Sequence, residues 1–119
     1  MIELSLFTRA YVECALWSST DDDGEPMDAI YSVDDIADSS LVQMAGECAD
    51  FQTYAAPLLA VCPGDDEQNG HDFWLTRNGH GAGFWDRGYG KLGDQLSDAA
   101  KTFGSSDLYI GDNGMIYVS

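Results

Sequence analysis

Apolar positions in the first half of the chain recur every three or four residues. Phe7, Tyr11 and Cys14 form one such series and Leu6, Ala10 and Trp17 another, which predicts a helix from about residue 5 with Ser5 as its N-cap. A short strand over Ile2–Leu6 competes with the first turn, because Ile2, Leu4 and Leu6 alternate. Residues 18–31 have no periodicity and read as an acidic loop around Asp21, Asp22, Asp23 and Glu25. Ser32 then caps a helical region with Asp34 and Asp35 in its first turn, where the helix dipole favours anions. Asp38-Ser39-Ser40 restarts the helix after that turn. Leu41, Met44, Cys48, Phe51 and Ala55 follow in steps of 3, 4, 3 and 4, an amphipathic stripe with Glu47 and Asp50 turned to water. Pro57 ends or bends this helix, Leu58–Val61 are expected to pack on a sheet, and residues 62–70 (CPGDDEQNG) form a second acidic loop.

From His71 to Tyr89 the sequence HDFWLTRNGHGAGFWDRGY reads as a β-hairpin. Asn78-Gly79 carries a strong type I′ turn signal, since both central residues of that turn need φ > 0. The register then sets Arg77 opposite His80, Leu75 opposite Ala82, and Phe73 opposite Phe84. Phe73, Leu75, Ala82 and Phe84 share the core side, while Gly81 and Gly83 leave room for Trp74 on the other, near Trp85. Leu92, Leu96, Ala99, Ala100 and Phe103 mark a further helix closed by Gly104. A second hairpin turns at Asn113-Gly114, with Ile110 facing Tyr117 and Tyr109 facing Val118. The expected fold is α+β over residues 1–119 as one domain: two N-terminal helices, then β-hairpin, α-helix and β-hairpin, giving a four-stranded antiparallel sheet with helices packed on one side.

The chain of 119 residues is long enough to bury a core, and its 3 Trp, 6 Tyr and 5 Phe argue against disorder. No apolar run approaches the ~20 residues of a membrane span, and the N-terminus lacks the basic and apolar regions of a secretory signal. A soluble intracellular protein is expected. Cys14, Cys48 and Cys62 are odd in number and far apart, which suggests buried free thiols rather than a disulfide framework.

Charge changes the picture more. Twenty-one acids against five bases give −16, and residues 1–70 hold 15 acids and one base (net −14) against 6 acids and 4 bases (net −2) in residues 71–119. Such a field repels phosphate backbones and membrane surfaces and attracts basic protein surfaces. Ordinary solubilising charge, high-salt adaptation and imitation of a nucleic acid all account for acidity, but high-salt adaptation usually spreads acids over the whole surface. The candidate partner-binding set is Asp21, Asp22, Asp23, Glu25, Asp28, Asp34, Asp35, Asp38, Asp65, Asp66 and Glu67. Carboxylates spaced like DNA phosphates, one charge per ~1.7 Å of axis, would occupy the Lys/Arg stripe of a DNA-binding protein.

Other chemistry is weaker. His71, Asp72 and Asp86 could make a small acid–base or ligand site near Trp85. In the hairpin register, however, His71 and His80 lie about 20 Å apart, too far to share a substrate atom. The cysteines lack the local pairing of a zinc site, residues 21–25 lack the spacing of an EF-hand, and NGHGAG is not a phosphate-binding loop. No catalytic residue, metal or cofactor is expected.

The segment HDFWLTRNGHGAGFWDRG, followed by LGDQLSDAAKTFG and LYIGDNGMIY, resembles a family of small proteins encoded by bacteriophages and prophages. The resemblance covers about residues 70–117 and carries no established catalytic residues. It implies phage origin and action in the cytoplasm of a bacterial host. By analogy, small acidic phage proteins often inhibit host nucleic-acid-binding machinery such as restriction, CRISPR or repair enzymes. The expectation is therefore an acidic inhibitor that mimics nucleic acid on a basic host surface and binds neither nucleic acid nor membrane itself. The alternatives are an enzyme or ligand-binding protein using His71, Asp72 and Asp86, and a virion or homo-oligomeric assembly protein, including a homodimer, using a Trp74/Trp85 face.

Overall fold

Ser5 caps the first helix as its sequence suggests: its hydroxyl accepts from the Thr8 backbone N–H at 3.2 Å, and α1 spans Leu6–Ser18. The computed structural model describes residues 3–119, so the competing strand begins outside the described residues, and its last position, Leu6, is helical. Phe7, Tyr11 and Cys14 are buried, while Leu6 and Trp17 project into solvent. The acidic loop closes on itself, with Asp21 Oδ1 accepting from the N–H groups of Asp23 and Glu25. At Ser32 the Asp35 carboxylate accepts from the Ser32 N–H while the Ser32 hydroxyl makes no cap bond, and only a single 3-10 turn follows, Val33–Asp35, not the expected capped helix. The long helix α2 is Asp38–Tyr54, and every member of its predicted apolar stripe is buried. Pro57 sits in the first turn of a short helix, α3 (Ala56–Leu59), where its missing N–H is harmless.

The central correction concerns residues 66–77, of which 66–70 are not loop and 71–77 are not a strand. They form α4 (Asp66–Arg77), with the Asp65 carboxylate capping the Gln68 N–H at 2.8 Å and Asp66 and Glu67 in the first turn. Asn78-Gly79 ends this helix instead of turning a hairpin. Gly79 has φ +69°, but Asn78 has φ −96°, so the type I′ requirement fails. Gly79 N–H bonds to the Thr76 carbonyl and His80 N–H to the Leu75 carbonyl, the paired bonds of a Schellman C-terminus. The apparent alternation was accidental, because α4 is buried on nearly all sides. Asp72, Trp74 and Thr76 are as enclosed as Phe73 and Leu75. Residues 80–90 are irregular around a 3-10 turn at Phe84–Asp86, and Gly83 passes so close to Thr76 that a Cβ there would collide with its hydroxyl.

The remaining elements are α5 (Lys91–Lys101), β1 (Leu108–Ile110) and β2 (Ile116–Val118). Gly104 follows α5 with φ +73°. The sheet among the described residues has two antiparallel strands, not four. Its register pairs Tyr109 with Tyr117 and Ile110 with Ile116, one residue away from the expected pairing. The cause is a three-residue connection: Gly111 and Met115 pair, and Gly114 takes the left-handed conformation at φ +81°. Since side chains alternate along a strand, that one-residue difference sends Leu108, Ile110, Ile116 and Val118 to the core side and stacks Tyr109 on Tyr117 outside. Ile36 bridges β2, and the Ser40 hydroxyl accepts from the Val118 N–H, so the start of α2 covers one edge of the ribbon.

The α1–α4 pair dominates the packing. Gly70 allows it: a Cβ on this residue would strike the Phe7 carbonyl. Phe51 stacks on Phe73 at 4.1 Å between centroids, and Tyr11 meets Trp74 edge-on at 5.3 Å. Trp74 is 2% exposed and donates its indole N–H to Ser18 Oγ. The expected Trp74/Trp85 surface face therefore does not exist; only Trp85 reaches solvent.

Candidate functional site

Three of the eleven predicted acids are occupied locally. Asp21 holds its own loop, Asp35 accepts from the Ser32 N–H, and Asp65 caps α4. Asp34 and Asp35, expected on a helix, lie in the single 3-10 turn, and only Asp38 stands in the first turn of α2. Asp22, Asp23, Glu25, Asp28, Asp34, Asp38, Asp66 and Glu67 are exposed. None of the eleven forms an ion pair among the described residues.

Helix α1 relates some of these acids to one another. Its outward positions are Leu6, Arg9, Glu13 and Trp17, spaced 3, 4 and 4 along one face. On one flank Glu13 and Arg9 share a groove with Asp28, Tyr31 and Asp34; on the other Glu13 shares a groove with Asp65, Glu67 and His71. Glu13, which the sequence reading left out of the set, thus joins acids that lie more than thirty residues apart in sequence. Its position on the apolar-spaced helix α1 was the available signal. Asp22, Asp23, Glu25, Asp38 and Asp66 line neither groove.

The His71/Asp72/Asp86 cluster does not form. Asp72 is fully buried and accepts from both Nε and Nη2 of Arg87, the shorter contact being 2.6 Å. These bonds raise the Arg87 pKa further above its ordinary value. Asp86 is exposed, and its carboxylate accepts from the Gly83 N–H. His71 is half-buried with its ring 5.8 Å from that of Trp17, and burial lowers its pKa below the usual 6.5 against the opposing pull of Asp72. The helical path of α4 also corrects the predicted separation of the histidines. His71 and His80 line one groove of about 580 Å³ together with Trp17, Leu75, Ala82 and Arg87.

Arg77, expected at a hairpin tip, is instead a buried tie. It donates to the Tyr11 hydroxyl, to Glu47 and to the carbonyls of Phe103 and Gly104, with Phe73 beneath its guanidinium at 5.5 Å. Glu47 therefore turns partly inward rather than to water. Cys14 and Cys48 are buried free thiols whose pKa values burial pushes up to about 12; Cys62 is half-exposed. Among the described residues no group of three or more His, Cys, Asp or Glu side chains could hold a metal ion, and no helix is long and apolar enough to cross a membrane. Comparison with protein-family models, curated proteins and solved structures finds no match to this chain.

Proposed function

We propose that this protein is a phage-encoded acidic inhibitor whose α1 face and flanking carboxylates occupy a basic nucleic-acid-binding surface on a host protein in the bacterial cytoplasm. The observation that carries this reading is the placement of Glu13 between Asp28 and Asp34 on one side and Asp65 and Glu67 on the other, with −14 concentrated in residues 1–70. The backbone beneath the centre of this set is held, because α1 is seated on α4, and the Asp65 carboxylate is fixed as a cap. A held array loses less entropy on binding than flexible acids would. Like charges at this density destabilise a free domain, so their gathering implies a use. Trp17 and Leu6, 59% and 68% exposed at the two ends of the face, would add apolar contact to the electrostatic attraction.

The test is capture from a bacterial lysate with immobilised protein, comparing wild type with Glu13→Lys/Asp34→Lys/Glu67→Lys. Recovery of nucleic-acid-binding proteins that added DNA displaces, with binding falling steeply as salt rises and lost in the triple variant, is the expected result. Recovery of no such protein, or capture that the triple reversal leaves unchanged, would overturn the reading.

A further inference from the structure

The groove shared by Trp17, His71 and His80 adjoins the acidic surface, with His71 lining both and Trp17 standing at the end of the α1 face, but its own lining is different. In a chain with 21 acids, no acid lines it. Asp72, the partner of the lining Arg87, is fully buried and paired with it. Trp17 supplies a broad exposed ring, Leu75 and Ala82 supply apolar wall, and the polar groups are two imidazoles and the Arg87 guanidinium. Arg87 uses Nε and Nη2 on Asp72, which leaves Nη1 without a protein acceptor among the described residues. Its volume of about 580 Å³ falls within the range of small-molecule sites.

We propose that this groove binds a neutral planar heterocycle with hydrogen-bond acceptors along its edge, the chemistry of an unphosphorylated nucleobase or nucleoside. Trp17 provides the stacking face, and Arg87 Nη1 and the imidazoles provide donors that a carbonyl or ring nitrogen can satisfy. Charge selects neutrality from both directions. The net −16 opposes an anionic ligand, while the lack of a lining carboxylate leaves a cationic one without a counter-charge in the groove.

The experiment is ¹⁵N-edited NMR titration of the full chain with guanosine, adenosine, cytidine and uridine, and with the matching 5′-monophosphates. At least one nucleoside should shift the Trp17 indole and His80 signals, with Trp85, which does not line the groove, as the unshifted control. Its monophosphate should bind several-fold more weakly at low salt, the gap narrowing as salt is added. Trp17→Ala should weaken binding about tenfold, as loss of one stacking partner does, and His80→Ala should weaken it less. Both residues are exposed, so an unchanged melting midpoint certifies that the variants are folded. No shift with any nucleoside, equal or tighter binding of the monophosphate at low salt, or full binding by folded Trp17→Ala would each overturn the proposal. The nucleoside titration reads a groove lined by none of Glu13, Asp34 and Glu67, whose triple reversal tests the acidic surface, so failure of one is distinguishable from failure of the other.

Discussion

Asp72 and Arg87 have unequal stakes in their ion pair. Asp72 is fully enclosed, whereas the Arg87 side chain is 32% exposed and can turn to water when its partner is removed. Arg87→Ala therefore strands a buried carboxylate and should cost about 3–5 kcal/mol. Asp72→Ala should cost about 1–3 kcal/mol, as expected for lost hydrogen bonds; urea unfolding of the two variants measures the order. His71 carries a pH signature of its own. Because burial lowers its pKa, the folded state binds fewer protons than the unfolded chain near and below pH 6.5. Its contribution to stability is fully present above 6.5 and is lost as pH falls from there through the lower folded-state value. An NMR titration of the His71 ring should give a midpoint below 6.5, and a midpoint above it would mean that Asp72 outweighs burial. The thiols divide in the same residue-by-residue way. At pH 8 a thiol reagent should label Cys62 first and spare Cys14 and Cys48, held as thiols with pKa near 12, until the protein unfolds.

At the scale of elements, two helical glycines make opposite predictions. Gly46 lies exposed on α2 with open space around a would-be Cβ, so Gly46→Ala should stabilise by about 0.5–1 kcal/mol. Gly70 lies where α4 crosses the Phe7 carbonyl, so Gly70→Ala must separate α1 from α4 and should cost at least about 1–3 kcal/mol. Thermal unfolding of the pair tests whether close approach, not helix propensity, governs α4. The helices α1, α2 and α5 were legible because each has one wet side, which writes a period of 3.6 into the sequence. Helix α4 has no such side beyond its first turns. Over residues 72–77 its polar side chains are buried and paired, with Arg77 on Tyr11 and Glu47, Asp72 on Arg87 and Thr76 on the Phe84 N–H, so no period distinguishes face from back there. The cap at Asp65 and the stop at Gly79 were there to be read, but Asn-Gly signals a left-handed glycine in either context.

For the whole molecule, −16 on a body of about 43 × 28 × 21 Å sets the response to salt. Self-repulsion is relieved by screening, so moving from low to physiological ionic strength should raise the melting midpoint by a few degrees. Charge reversal at Glu13, Asp34 and Glu67 should raise it further at low salt and shrink the salt dependence. A midpoint that falls with salt would show that the attractive pairs Glu47–Arg77 and Asp72–Arg87 outweigh the repulsion. The candidate surface belongs to this scale as well. Acid content could be counted along the chain, but Glu13 entered the set only when α1 was seen with one acidic groove on each side.

By itself the amino-acid order determined what depends on near neighbours: the cap at Ser5, the stripe Leu41–Ala55, the α5 core positions, the left-handed Gly114 of the last hairpin, and the charge imbalance. Only the tertiary structure decided that residues 66–77 are helical, that the last hairpin pairs one residue differently, and that His71 and His80 share a groove. The physical reason is that a central helix receives its partners from every side. Those partners come from distant segments, Tyr11, Glu47, Phe84, Arg87 and Phe103 among them, and no local pattern can announce them.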